Sequence, residues 1–326
     1  MSAGTIACFG EALIDFLADP PTPGEARTFR QYAGGAPANA AVAIARLGGR
    51  CEFIGMLGTD MFGDFLLESL REAGVGVRSV RRTAQARTAL AFVSLDAQGE
   101  RSFSFYRPPA ADLLFRAGDF DDAGFTGIGC FHVCSNSLTE AEVAAATLSG
   151  MARARAAGAL ASIDLNLRPA LWQDGAPSLP ALWTALEAAD LVKLAREELE
   201  FLKRDGLGDD DLVARLLQGA RLVLVTDGAM PVRWYTRAGS GELPTFDVRA
   251  IDTTAAGDAF IGGLLSQLQR CGHLAGGFDA LLAQAGELAR CLRYAAACGA
   301  LAVTRHGAFA ALPRHEEALA LLDQAP

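Results

Sequence analysis

The stretch DTTAAGDAF, residues 252–260, joins a strand-like TFDVRAI (245–251) to an apolar, helix-like FIGGLLSQL (260–268). Small residues at a helix N-terminus leave backbone N–H groups unpaired at the positive end of the helix dipole. Ala255, Ala256 and Gly257 therefore form an anion hole that an oxygen can approach closely, and phosphate is the usual occupant of such a hole. Asp258 follows at once. A carboxylate there repels a phosphate that merely binds. It makes sense where the anion is in transfer and the carboxylate orients and deprotonates the incoming hydroxyl. An ordinary aspartate pKa suffices, since a loose phosphoryl-transfer transition state asks for little proton removal until late. Taken alone, Asp258 is equally explained as an N-terminal charge that stabilises its helix by about 0.3–1 kcal/mol.

Three further stretches carry polar groups in unusual settings. In YAGGAPANAAVAIARLGG (32–49), Pro37 suits a first helical position and Gly48–Gly49 a helix end, while small residues at 40, 41, 43 and 45 allow close packing. Asn39 is the polar exception in the first turn, either a local cap or a hydroxyl-binding amide. GEALIDF (10–16) ends the first strand with Asp15 among apolar neighbours, a carboxylate able to accept two vicinal hydroxyls. IDLNLRPALW (163–172) sets Asp164, Asn166 and Arg168 at alternate positions beyond a strand's carboxyl end, where ligands bind in open α/β sheets. An arginine there suits phosphate or carboxylate.

The elements that must hold these residues alternate. Strand-like runs at 5–10, 51–57, 127–134, 159–166, 189–194 and 221–228 are separated by helical stretches at 37–47, 60–73, 139–157, 178–188, 196–204 and 209–217. Helices at 257–270, 278–300 and 315–323 finish the chain. This order predicts right-handed βαβ units and a mainly parallel sheet covered on both faces. RTALAFVSLDAQGERSFSFYR (87–107) breaks the rhythm as a hairpin turning at 96–99. Alternation places Arg101, Phe103, Phe105 and Arg107 on one face and Ser102, Ser104 and Tyr106 on the other. The hairpin is either a small lid, formed with the extended 20–32 segment, or an edge of the main sheet. If the two phenylalanines are exposed they want a partner, and dimerisation through the lid is the expectation.

Composition bounds the rest. At 326 residues and 51% apolar the chain can bury a large core, and a net charge of −9 argues against broad nucleic-acid or anionic-membrane binding. Seven cysteines without CxxC pairs fit reduced thiols, and no stretch of about 18–20 uncharged apolar residues suggests a membrane span. A cytoplasmic protein is the expectation. Only two of the 29 basic residues are lysines, Lys193 and Lys203, and neither lies in a glycine-rich loop. Walker-type phosphate loops and the protein-kinase lysine set are thereby excluded, and no GxGxxG or GxSxG appears at the required place. The four histidines lack metal spacing, and His132 fits a core histidine.

Together these stretches resemble the ribokinase-like (PfkB) family of carbohydrate kinases over nearly the whole chain, with GGAPANAAVAIARLGG and DTTAAGDAFIGGLL matching its two signatures. The resemblance implies a three-layer α/β/α domain over 1–326, with a β lid from about 17–33 and 87–107. It implies Asp258 as catalytic base, the 255–257 backbone as hole for the transferred phosphate, and Asp15, Gly34, Gly35 and Asn39 as sugar-binding positions. Thr226 and Gly228 of VTDG, Lys193, Gly257 and Ala296 fall to the nucleotide. Asp252 and Thr254, with carbonyls from about 302–307, would hold a potassium-type ion, and ATP with Mg²⁺ is expected. Within the family, GEALIDF, the 87–115 stretch and LNLRPALW look most like bacterial fructokinases, which would put Phe105, Arg107 and Arg168 at the sugar. The family's Asn-x-x-Glu segment is altered to Ala195–Glu198, leaving Glu198 to organise Mg²⁺ indirectly. Two alternatives stay open: a 2-keto-3-deoxygluconate kinase with Arg107 and Arg168 as carboxylate clamps, and a catalytically silent sugar-binding relative.

Overall fold

The alternation of short apolar strands with alanine-rich helices produces two sheets of different character. The structure is a computed structural model and describes residues 4–19, 26–95, 101–203 and 206–324. Along the chain come β1 (Thr5–Phe9), β2 (Leu13–Ala18), β3 (Phe29–Gly34), α1 (Ala36–Arg46), β4 (Cys51–Gly58), α2 (Met61–Glu72), β5 (Val80–Thr83), β6 (Leu90–Leu95), β7 (Arg101–Tyr106) and β8 (Ile128–Cys134). They are followed by α3 (Ala141–Ala156), β9 (Leu160–Asp164), α4 (Leu179–Glu187), β10 (Leu191–Ala195), α5 (Arg196–Leu202), α6 (Asp209–Gly219), β11 (Leu222–Asp227), β12 (Met230–Thr236) and β13 (Gly239–Leu243). The last helices are α7 (Ala256–Arg270), α8 (Phe278–Leu282), α9 (Ala285–Ala302) and α10 (His315–Gln324).

Nine strands form the large sheet in the order β13-β12-β11-β10-β9-β8-β1-β4-β5, parallel from β11 to β5, with β12 and β13 antiparallel at one edge. Strands β4, β8 and β9 are buried at every position, as a parallel sheet covered on both faces requires. Alternate residues of β1 feed opposite cores. Ile6 and Cys8 join the cluster with α1, α7 and α9, while Ala7 and Phe9 join the one with α3 and α4. His132 lies buried with Nδ1 3.1 Å from Ser162 Oγ, a satisfied core histidine. No helix among the described residues is long and apolar enough to cross a membrane.

Small residues let α7 approach two helices at once. A Cβ on Gly262 would lie 2.6 Å from Ala43 Cβ of α1, and one on Gly263 would lie 2.8 Å from Cys298 Sγ of α9. This packing brings the first turns of α1 and α7 together, although they are some 220 residues apart in sequence.

The second sheet, ordered β3-β2-β6-β7, stands apart from the first as the lid. It begins earlier than the sequence suggests. Asp15 does not end the first strand but lies within lid strand β2, opposite Tyr32. Register places Tyr32, Asp15, Ala91 and Phe105 in one row across one lid face. Phe105 is partly buried there against Leu13, Ala89, Ala91 and Ala110, so this phenylalanine is not one that the lid exposes. The opposite face carries Phe16, Phe29, Phe92 and Tyr106 in ring contact, of which Phe29 and Tyr106 are exposed. The turn at 96–99, residues 20–25 of the extended segment and the Phe103 side chain lie outside the described residues.

Other departures have local causes. TFDVRAI (245–251) pairs with no strand among the described residues, while the antiparallel β12–β13 hairpin turns at Arg237–Ala238, which carries no glycine or other turn signal. The helix expected over 278–300 breaks at Ala283–Gln284 into α8 and α9. Ala255, the residue that opens α7, sits in the left-handed region at φ 59°, a conformation that favours glycine. Replacing it with glycine removes a Cβ strain of about 1–2 kcal/mol and adds an unfolded-state entropy cost of about 0.5–1 kcal/mol. Ala255→Gly is therefore expected to raise the melting temperature by about 2 °C in a thermal unfolding scan. A lower melting temperature would show that Ala255 is not strained.

Candidate active site

Asp258 occupies the first turn of α7, with 7% of its surface exposed, and groups from two distant elements meet it. Asn39 in the first turn of α1 donates from Nδ2 to Oδ2 at 2.7 Å, and Asn166 donates from Nδ2 to Oδ1 at 3.3 Å. Asn39 Oδ1 remains buried without a partner, an acceptor turned to the same place. Asn166 reaches Asp258 because it takes a left-handed turn just beyond β9, at φ 40°, which asparagine tolerates better than most residues. Burial, reinforced by the Asp164 carboxylate, pushes Asp258 up to about 7 against the pull of Asn39, Lys193 and Arg168. The ordinary aspartate pKa expected from the sequence is thus corrected: the group titrates near neutrality.

The anion hole narrows by one donor. Ala256 N–H turns back to the Thr253 carbonyl at 3.3 Å, which leaves Ala255 and Gly257 of the expected three, and Asp258 N–H joins them in the first turn. Directly beneath lies Lys193, from β10. Its Nζ would be 2.8 Å from a Cβ on Gly257, which explains the glycine and sets a cation against the hole. The same Nζ binds both oxygens of Asp164, at 3.0 and 2.9 Å. Burial alone would lower the lysine's pKa; Asp164, Glu198 and Asp258 hold it above its ordinary value. Glu198 is anchored by Leu167 N–H on Oε1 at 2.6 Å and by Ala195 N–H on Oε2 at 2.7 Å. Burial raises its pKa, opposed by Lys193. Three buried carboxylates thus surround one ammonium, so a polyphosphate entering here must bring its own cations.

Gly34 and Gly35, expected at the sugar, fall at the lid junction. A Cβ on Gly34 would lie 2.2 Å from Asp15 Oδ2, and one on Gly35, at φ 104°, would lie 2.6 Å from the Glu11 carbonyl oxygen. Both glycines exist for close approach. Arg168 is exposed, donates to the Leu167 carbonyl at 3.1 Å and draws the Asp258 pKa down. Arg107 departs from expectation. It is 1% exposed, with Nε and Nη2 on Asp112 Oδ2 at 2.8 and 2.6 Å, so its charge is spent inside the protein rather than offered to a sugar.

The remaining positions divide. Thr226, at the end of β11, places its hydroxyl 3.5 Å from the Leu194 carbonyl, and Gly228 makes the following turn at φ 52°. Ala296 is buried in the core shared by α7 and α9. Asp252 accepts from Thr254 N–H at 2.8 Å and from Gly307 N–H at 3.1 Å, tying the two loops that would share a monovalent cation. The Val303 carbonyl, within the expected carbonyl set, instead accepts from Ile251 and Asp252. Glu11 and Asn136, buried and hydrogen-bonded at 2.9 Å beside this site, had no spacing signal in the sequence.

Comparison with known proteins agrees with this geometry. The chain is 40% identical over 332 residues to Fructokinase-1 of Zea mays, covering all of both chains. It is 53% identical to a Xylella fastidiosa fructokinase solved with bound ATP, covering 99% of each chain at a TM-score of 0.95. A Vibrio cholerae fructokinase solved with fructose, ADP and calcium is 32% identical, covering 99% of this chain and all of its own at a TM-score of 0.83. The model of the pfkB family carbohydrate kinases matches residues 3–315. With the buried aspartate at a helix-borne anion hole and a β lid over it, this chain belongs to the pfkB carbohydrate kinase family and has the ribokinase-like fold.

Proposed function

We propose that the protein is an ATP-dependent fructokinase that converts D-fructose and ATP to fructose 6-phosphate and ADP. The observation that carries the reading is Asp258, buried, held by Asn39 and placed at the mouth of the hole above Lys193. The similarity to fructokinases over the full chain supports the sugar. So does the state of Arg107: locked to Asp112 and close to Glu11, it cannot clamp a carboxylate, which counts against 2-keto-3-deoxygluconate. The alanine at 195, where the family has a polar residue, would favour a catalytically silent protein. That residue's backbone N–H still anchors Glu198, so the loss of a side chain there leaves the cluster assembled.

In the proposed reaction, Asp15, Asn39 and the Gly34–Gly35 backbone receive the sugar hydroxyls, with Phe105 and Arg168 bordering the cleft. Asp258 takes the proton from the 6-hydroxyl as that oxygen attacks the γ-phosphorus in line and the bond to the ADP oxygen breaks. The N–H groups of Gly257 and Asp258 and the Lys193 ammonium stabilise the transferred charge. Thr226, Gly228 and Lys193 hold the nucleotide. Mg²⁺ carried by the nucleotide would neutralise phosphate charge, with Glu198, anchored by the Leu167 and Ala195 N–H groups, organising it indirectly. A potassium-type ion between the 252–254 turn and the 304–307 carbonyls would steady the start of α7. We place the enzyme in the cytoplasm as one kinase domain over 1–326. Its exposed lid aromatics, Phe29 and Tyr106, offer a homodimer contact.

The substrate is tested by an ADP-release assay with MgATP on fructose, ribose, 2-keto-3-deoxygluconate and glucose. Fructose is expected to turn over fastest, and turnover on ketodeoxygluconate alone would sink the assignment. Asp258→Asn is expected to lose at least about 10²-fold in kcat. For the wild type, kcat/KM should rise with pH through about 7 and then level, because only the ionised Asp258 accepts a proton. Stability runs the other way. The folded pKa lies above the unfolded value of about 3.9, so stability is lost as pH rises between the two. Asp258→Asn should therefore melt above the wild type at pH 8, with a gap that shrinks toward pH 5. A gap independent of pH would contradict the raised pKa.

A further inference from the structure

Four chain segments cross between the lid and the large sheet: 10–12, 35, 84–89 and 107–110. The crossing at 84–89 is pinned to the core by Asp60, the N-cap of α2, whose carboxylate accepts from Thr88 N–H at 2.8 Å and from its hydroxyl at 2.9 Å. The other three converge on one buried ionic cluster. Glu11 from the first and Arg107 from the last are each 1% exposed, and Asp112, just beyond, is 5% exposed. Glu11 Oε1 accepts from Ala36 N–H, at the start of α1, at 3.3 Å, and from Asn136 Nδ2 at 2.9 Å. Arg107 spans the cluster, bound to Asp112, donating from Nη1 to Thr139 Oγ1 at 3.2 Å and attracting Glu11. None of these charges enters the proposed chemistry.

A buried ionic cluster is a poor stabiliser but a geometric specifier, because removing one member leaves another unpaired in the interior. Its placement says what is specified. Glu11 lies four residues before Asp15 and holds the turn that carries Asn39, so both sugar-side groups are set by where Glu11 sits. We propose that Glu11, Arg107 and Asp112 form the pivot of the lid, and that Arg107 is a positioning residue that keeps Asp15 and Asn39 in register over Asp258. This deepens the sugar-kinase reading and rests on it. A pivot of this kind binds ground and transition states alike, so its loss raises KM for the sugar more than it lowers kcat.

The test is Arg107→Met beside Asp112→Asn, which leaves the arginine in place but removes the carboxylate charge it binds. For both variants, sugar KM is expected to rise, by about tenfold in the methionine variant, while MgATP KM and kcat at saturating sugar stay within about threefold. Spin labels at Arg30→Cys on the lid and Met230→Cys on the far edge of the large sheet, in a Cys271→Ser background, read the lid itself. In the wild-type cluster, fructose should narrow the label–label distance distribution. Both variants should broaden it and need more sugar to narrow it. A lower melting temperature with unchanged sugar KM and unchanged distances would reduce the cluster to a structural role and overturn the proposal. Equal rises in both KM values would overturn it as well. Wild-type turnover on another sugar would correct the substrate, and the same distance measurement with that sugar would still decide the pivot.

Discussion

A carboxylate kept out of water at the start of α7 is the constraint on which the rest of the structure depends. Burying Asp258 is costly unless neighbours supply hydrogen bonds and opposite charge, and none of its neighbours is local. Asn39 comes from α1, Asn166 from the turn after β9, and Lys193 from β10, through Asp164. Holding three separate elements at hydrogen-bonding distance demands rigid packing behind them. The buried β4, β8 and β9 and the small-residue seams of α7 with α1 and α9 supply it. The glycines Gly262 and Gly263 therefore help to hold the surroundings of Asp258, although neither touches it.

That dependence also accounts for what the sequence could tell. The helix-borne anion hole, Asp258, Asn39 and the alternating strands were legible because their signals are short-range: turn chemistry, period and the behaviour of a helix end. The Asn39–Asp258 bond was not, since nothing local says that two helix starts meet. Asp15 was identified as a residue but put at the end of β1, because the chain enters the lid with no break in hydrophobicity from GEAL to IDF. The hairpin β12–β13 failed for the opposite reason: its strands, MPVRWYT and GSGEL, are half-exposed and mixed in character. Alternation put Phe105 and Tyr106 on opposite faces of their strand, as the structure has them, but could not say which face met solvent.

Arg107 shows most sharply how far residue type can mislead. An arginine at the end of a lid strand suggests a ligand contact, yet two carboxylates, one five residues later and one nearly a hundred residues earlier, already surround it. Residue type gives the capacity to bind an anion, and burial decides which anion receives it. Arg168, in an equally suggestive motif, is exposed and draws on Asp258, so it remains available where Arg107 is not.

The scarcity of lysine then acquires a physical reading. The space beneath Gly257 admits one ammonium touching both Asp164 oxygens, with 2.8 Å to the point where a side chain would begin. A guanidinium is planar, larger and demands a fork of acceptors, which this position does not provide. A compact point charge fits and can also serve a phosphate on its far side. In a chain whose other basic residues are almost all arginine, the lysine of β10 stands where only lysine's geometry serves. The glycine above it is required for the same reason, since any Cβ there would displace the ammonium from the hole it supports.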